Sequence, residues 1–563
     1  MFRIYSRFFA ALLFCITFSS ANAQLGVNKS SFTHQDTLRG SITPERAWWN
    51  VISYHIFVEP DYNSKTISGW TDIGFEVTAD SEQRRMQIDL QQPMQIDSMF
   101  LKGQKLTNFK RDGNVYYIDF GDRSFMSART ALDKHLPVTL HQLKIYFHGK
   151  AREAIRPPWD GGWIWATDTK GRPWMSVACQ GLGASVWYPC KDYQGDEPDQ
   201  GAVMEIKVPE ELTAVSNGKL IDRKATGDHK VVYVWEVKNP INNYNLVPYI
   251  GYYVHWADTY IGETEKTLSL DYWVLDYNRA AAKKQFDRDV KRMLRAFEYW
   301  FGPYPFYEDG YKLVESPHLG MEHQSATAYG NQFLDGYLGM DLSGTGWGKK
   351  WDYIIVHESG HEWFANNITT NDIADMWVHE GFTMYSEVLF TEFWYGKEAG
   401  NEYCLGIRNN IDNDRPLIGP YGVNKEGSGD MYNKGANLLH TVRQVINNDS
   451  LFRQILRGLN RDFYHKTVDS KDVEAYISAK SGKDLSKIFD QYLRTIKIPV
   501  LSYKLVNGLL NYRWENVVPG FDMPVRLAGD GDIWIHPTAN WQPLPGYKSL
   551  EPDALFYIET RKG

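Results

Sequence analysis

Two histidines four residues apart flank a glutamate in the run His357-Glu358-Ser359-Gly360-His361. On a helix this spacing puts both imidazoles on one face, where they can meet a single ion. Glu358 is adjacent in sequence and points partly aside, toward the ion's open position. A carboxylate there can take a proton from water. Two neutral imidazoles plus one carboxylate suit Zn2+, with the fourth position left to water. Glu380, on a second helix, completes that set, and zinc lowers the pKa of its water toward ~7. Glu387, two turns beyond Glu380, reads as structural. A second chemistry can be set aside. The stretch Ser343-Gly344-Thr345-Gly346-Trp347-Gly348-Lys349-Lys350 has Ser where a phosphate loop needs its first Gly, and Lys where it needs Ser or Thr. No strand signal leads into it, so it reads as a flexible loop before the catalytic helix.

The elements that must position these residues follow from periodicity. From about residue 53 to 273 short alternating runs, such as 54–58 and 144–147, are broken by turns at Asn217-Gly218 and Asp112-Gly113. They predict a β-sandwich-like domain of about 200 residues. The pattern then becomes helical: Phe286, Val290, Leu294, Phe297 and Phe301 recur at helical spacing until Gly302-Pro303. A short strand over 311–314 leads into Leu319-Gly320-Met321-Glu322-His323. Helices are expected near 350–366, 376–395, 434–447, 450–464 and 472–480, with another ending near Thr495. After Pro499 strands return, at 501–505, 509–514 and 532–535. The domains are expected at 45–256 for the N-terminal β-domain, 257–498 for the catalytic domain and 499–563 for a small C-terminal β-domain.

The 563 residues allow roughly three or four domains. Hydrophobic residues are 43% and charged residues 23%, which reads as globular, not disordered. Residues 1–23 form an export signal: basic Arg3 and Arg7, an apolar run from Phe8 to Phe18 too short to span a bilayer, and an Ala21-Asn22-Ala23 cleavage site. Cys15 makes a poor lipoprotein site because Phe14 precedes it. The mature chain is expected to start near Gln24, to lack a transmembrane segment and to reside in the periplasm or outside the cell. The formal charge is −8 before the leader's two arginines are lost, and no basic run offsets it, which argues against nucleic-acid binding. Cys179, Cys190 and Cys404 remain after the leader, too sparse for a disulfide framework. A Cys179–Cys190 pair and buried free thiols both stay open.

Four separated segments resemble the aminopeptidase N-like gluzincin metallopeptidases, the family that includes the leukotriene hydrolases. The first is His357-Glu358-Ser359-Gly360-His361-Glu362-Trp363-Phe364-Ala365-Asn366, followed at the family's distance by Glu380. The second is Asp375-Met376-Trp377-Val378-His379-Glu380-Gly381-Phe382-Thr383, similar to W-L-N-E-G-F-A. The third, Leu319-Gly320-Met321-Glu322-His323, is similar to the G-[AG]-M-E-N exopeptidase motif. The fourth, Tyr432-Asn433-Lys434-Gly435-Ala436, is similar to Y-x-K-G-A. A weaker fifth match is Cys179-Gln180 ahead of Pro189-Cys190-Lys191-Asp192. The resemblance covers most of residues 45–500. It marks the chain as a bacterial-type exported member without room for the family's large C-terminal helical domain.

The resemblance implies a multidomain α+β fold, with a thermolysin-like, mainly helical catalytic domain that contains a small β-sheet. It implies one zinc per chain held by His357, His361 and Glu380, with Glu358 as general base and then proton donor to the leaving amine. Tyr432 would donate to the tetrahedral oxyanion. Glu322 would bind the substrate's free α-ammonium, with Gln180 adding a polar contact. Gly320 and Met321 would form an edge strand that pairs with the substrate backbone. The implied activity is removal of the N-terminal residue from peptides with a free amino terminus. His323 and His379 stand where the family has Asn, and Leu319 replaces its first Gly. His323 can be a neutral substitute, a pocket-shaping residue or a charge partner of Glu322. Without the helical domain the groove is expected to be more open. A zinc endopeptidase, an epoxide hydrolase on the same scaffold and an inactive scaffold protein are the alternatives.

Overall fold

The computed structural model describes residues 31–563 apart from 79–84, 122–124, 135, 137, 530 and 531. The expected export signal lies outside the described residues. The N-terminal domain is built on an eight-stranded mixed sheet with Trp49–Asp61 and Thr66–Val77 near its middle, joined by a four-stranded and a three-stranded sheet. Alternation explains it: Tyr54, Ile56 and Val58 are buried on one face of Trp49–Asp61, while His55 and Phe57 are half-exposed on the other. The turn glycines Gly113 and Gly218 sit at φ 57° and 71°, a region that favours glycine.

A five-stranded sheet follows, in the spatial order Tyr253–Ile261, Thr267–Leu275, Tyr311–Glu315, Thr327–Tyr329, Gly320–Met321. The boundary expected at 256 falls inside the first of these strands. That hairpin alternates like the preceding strands, and only its parallel pairing of Leu270–Trp273 with Tyr311–Val314 assigns it to the catalytic layer. The helix Arg279–Phe301 packs against this sheet, and helices Tyr353–Gly360, Trp377–Tyr395, Lys397–Arg408, Asn433–Ile446, Asp449–Asp462, Ser470–Ser481 and Ser486–Arg494 build the rest of the domain. The helix Lys397–Arg408 has no counterpart among the expected elements. Gly400 and Gly406 interrupt its apolar pattern, and it exists because Tyr403, Cys404 and Ile407 bury against neighbouring helices. The tail forms a four-stranded sheet centred on Val500–Val506 and Leu509–Glu515. The strand expected at 532–535 shortens to Trp534–Ile535.

One hydrophobic core runs through the catalytic and C-terminal domains, and a second fills the N-terminal domain. The second core also takes in Val314, Met321, Ala326 and Ala328 of the catalytic sheet, so the two domains share a dry seam. Cys179, Cys190 and Cys404 are buried free thiols. No helix among the described residues is long and apolar enough to cross a membrane.

Candidate metal and substrate site

The helix Tyr353–Gly360 starts at Asp352, whose buried carboxylate accepts from the backbone N–H groups of Ile354 and Ile355. It ends earlier than periodicity predicts. His361 is its C-terminal cap, and Phe364 and Ala365 then leave helical dihedrals, Ala365 at φ 143°. That strained turn frees the Phe364 carbonyl, which accepts from His361 Nδ1 at 3.1 Å. His357 Nδ1 in turn faces the Glu387 carboxylate at 2.6 Å, and Glu387 is also held by the Tyr403 hydroxyl. In its neutral form each imidazole therefore carries its proton on Nδ1, which leaves Nε2 to present a lone pair to a metal ion.

Those two Nε2 atoms converge on Glu380. Its Oε2 lies 3.3 Å from His361 Nε2 and 3.7 Å from His357 Nε2, all three side chains being buried. Among the described residues, Glu380 Oε2 has no hydrogen-bond partner. Two fixed lone pairs and a partnerless buried carboxylate oxygen, all within 4.8 Å of one another, fit a divalent cation with mixed nitrogen and oxygen ligands. Burial alone would raise the Glu380 carboxyl, but the facing His361 and His357 rings, in their protonated form, outweigh it and hold it well below the usual range.

Two close approaches bring the remaining groups in. A Cβ on Gly435 would come within 2.8 Å of the Gly381 Cα, so helices Trp377–Tyr395 and Asn433–Ile446 cross in backbone contact. That crossing carries Tyr432, at the start of the second helix, over His357, with ring centroids 5.9 Å apart. Burial and the Glu380 carboxylate raise the Tyr432 phenol, so it stays a proton-bearing donor. A Cβ on Gly320 would stand 2.4 Å from Glu358 Oε1, so a larger residue here would push the Glu358 carboxylate aside. Burial pushes Glu358 up to about 7, the range in which a carboxylate exchanges protons near neutrality.

Glu322 follows directly on the edge strand and is 1% exposed. Its Oε1 accepts from Gln180 Nε2 at 2.6 Å and from the Tyr244 hydroxyl at 2.8 Å, both from the N-terminal domain. Glu322, Glu358 and His361 also place donor atoms within 4.8 Å of one another, so this carboxylate borders the metal position. It is a poorer metal ligand than Glu380, because its Oε1 already accepts two hydrogen bonds and it shares one imidazole with the other set. Gln180 Oε1 is buried without a partner among the described residues, an acceptor beside the Glu322 carboxylate. Burial raises Glu322, an electrostatic demand that an arriving cation satisfies. The segment is pinned from both sides: Asn366 Nδ2 donates to the Glu322 carbonyl, and Asn245 Nδ2 donates to Asn366.

The histidine departures have separate explanations. His323 points away from the Glu322 carboxylate and contacts the Tyr249 hydroxyl at 2.5 Å, while burial holds its pKa well below the usual value. It is a neutral ring supporting the strand, not a charge partner. His379 Nε2 accepts the Thr370 backbone N–H at 2.9 Å and ties the helix of Glu380 to the strand Ile368–Thr370. Periodicity read Glu387 only as structural, and its contact with His357 gives it a role at the metal position. The signal was its place two turns from Glu380, on the same face. Tyr244 carried no local signal at all.

Comparison with known proteins bears on the same residues. A model of the peptidase family M1 domain matches residues 285–492, and a model of the peptidase M1 N-terminal domain matches residues 50–244. Aminopeptidase N of Lactococcus lactis subsp. lactis is 26% identical over 395 residues, covering 65% of this chain and 43% of that protein. Aminopeptidase B of Rattus norvegicus is 24% identical over 414 residues, covering 69% of this chain and 56% of that one. The chain thus spans about half the length of these curated relatives. Among solved structures, an M1 zinc metallopeptidase from Deinococcus radiodurans superimposes with a TM-score of 0.65 at 19% identity, over 82% of this chain and 98% of that one. A mutant of that protein bound to a Tyr-Ser-Ala substrate gives 0.66 at the same identity.

Proposed function

The chain belongs to the peptidase M1 family, and from that membership and the geometry of its site we propose that it is a zinc-dependent aminopeptidase. The observation that carries the reading is the pairing of a three-donor metal position with a second buried carboxylate, Glu322, at its border. His357, His361 and Glu380 would hold the zinc ion, which when bound would supply Lewis-acid chemistry at the scissile bond. Glu358 accepts the water's proton, at a carboxyl already tuned near neutrality, and returns it to the leaving amine. Tyr432 donates a hydrogen bond where negative charge develops on the carbonyl oxygen. Glu322, held by Gln180 and Tyr244, neutralises the substrate's α-ammonium, and the partnerless Gln180 Oε1 accepts one of its N–H bonds. Gly320 and Met321 are the outermost strand of their sheet and offer backbone groups to an extended peptide.

Paired free and N-acetylated peptides, digested with and without chelator and followed by mass spectrometry, test the reading. Loss of single residues from free peptides only, and only without chelator, is the expected result. Internal cuts or cleavage of blocked peptides would assign an endopeptidase instead. The leader-like residues 1–23 support export, with the mature chain acting in the periplasm or outside the cell. An exported fraction whose mature N-terminus is Gln24 is the expected result.

A further inference from the structure

A cavity of about 510 Å3 opens beside the ammonium position, and Gln180 and Met321 form part of its wall. Gln180 also holds Glu322, and Met321 directly precedes it. In an α-amino acid the ammonium nitrogen and Cβ share one carbon. An N-terminal residue anchored at Glu322 therefore has its side chain within reach of this cavity.

The wall holds four carboxylates and four cations, but they are engaged differently. Its carboxylates are already engaged within the protein. Asp36 accepts from the Thr33 backbone and hydroxyl, and Asp89 pairs with Arg46. Asp160 accepts the backbone N–H groups of Ile155 and Arg156, and Glu426 pairs with Lys425 at 3.1 Å. Arg152 and Arg156 differ. Both are exposed on the cavity rim, and among the described residues neither guanidinium has a carboxylate partner. Arg152 reaches only the Asp160 carbonyl, at 3.3 Å.

The far side is closed by the segment that precedes the family-matched region. A Cβ on Gly40 would meet the Asn424 backbone nitrogen at 1.9 Å, so this segment touches the 423–426 loop backbone to backbone. Arg39 locks it to Asp192 at 3.1 Å and to the Leu182 carbonyl at 3.0 Å. The cavity is thus a built pocket with two uncommitted cations at its rim.

We propose that this cavity receives the side chain of the substrate's N-terminal residue, and that Arg152 and Arg156 bias it toward an acidic one. This assignment rests on the aminopeptidase reading above. Both guanidinium groups face solvent, so the bias is modest and salt-dependent.

The test compares two isosteric peptides that differ only in an N-terminal Glu or Gln, beside an Ala-initiated control. At low salt, kcat/KM for the Glu peptide is expected to exceed that for the Gln peptide by about fivefold, and to approach parity at ~0.5 M salt. In the double variant R152Q/R156Q the low-salt ratio is expected to fall to about one. Parity in the unmodified protein, or a ratio that survives in the variant, overturns the assignment while cleavage of the Ala control leaves the aminopeptidase reading standing. No cleavage of any of the three overturns that reading, and the pocket assignment with it.

Discussion

The metal position and the ammonium clamp meet at His361, yet they are assembled differently. Every metal-facing donor and its supporting carboxylate come from two helices of one domain, Tyr353–Gly360 with its cap and Trp377–Tyr395. The clamp takes Glu322 from the catalytic sheet and Gln180 and Tyr244 from the N-terminal domain, 142 and 78 residues away in sequence. The difference separates two tasks. On the proposed reading, bond cleavage would rest on one helix pair, whereas the choice of a free amino terminus would rest on how two domains seat against each other.

Substitutions should respect that division. The largest effect is expected from Glu358→Gln, which should lower kcat by about 10^3-fold or more while metal analysis still finds one zinc per chain. Full turnover in that variant would remove Glu358 as the base. Tyr432→Phe should lower kcat by about 10^2-fold with KM little changed, since its donor acts on developing charge. An equal rise in KM would make it a ground-state contact. Glu387→Gln should weaken zinc retention by about 10-fold to 100-fold in a chelator competition, because His357 loses the carboxylate that fixes its tautomer.

On the other side of the comparison, Tyr244→Phe should raise KM for free peptides by about tenfold and leave zinc content untouched. Loss of zinc there would show that the two regions are not separable. The smallest effect concerns the domain seam. Burial raises Glu197 to about 7, with Thr369 of the catalytic domain and Asn242 of the N-terminal domain opposing the shift. Its unfolded value is about 4.3. A carboxyl raised on folding contributes stability that is fully present below the unfolded value and is lost as pH rises through about 7. Thermal unfolding of Glu197→Gln, followed from pH 5 to 8, should show a shallower decline than the unmodified chain. An unchanged slope would mean that Glu197 does not govern the seam.

The same contrast governs what was legible beforehand. His357, Glu358 and His361 were readable because a helix converts a spacing of four into a shared face, and Glu380 because its own helix carries a strong local pattern. The catalytic helix was read too long, since periodicity does not register the turn at Phe364 and Ala365 that releases a carbonyl for His361. The helix Lys397–Arg408 escapes the sequence reading because Gly400 and Gly406 lower its helix propensity, although Ala399, Tyr403, Cys404 and Ile407 form a buried stripe. Roles for Tyr432, Glu322 and Gln180 came only from resemblance.

What the sequence determined by itself is the local chemistry: a helix-borne pair of imidazoles, a base beside them and the order of strand-rich and helix-rich segments. These follow from hydrogen bonding and side-chain direction within a few turns of chain. The tertiary structure decided which hydroxyl and which amide hold Glu322, that Gly381 must face Gly435, and that Arg152 and Arg156 rim a cavity without acidic partners among the described residues. Those outcomes depend on contacts between residues dozens to hundreds of positions apart, fixed by close packing of whole sheets and helices, which no local periodicity encodes.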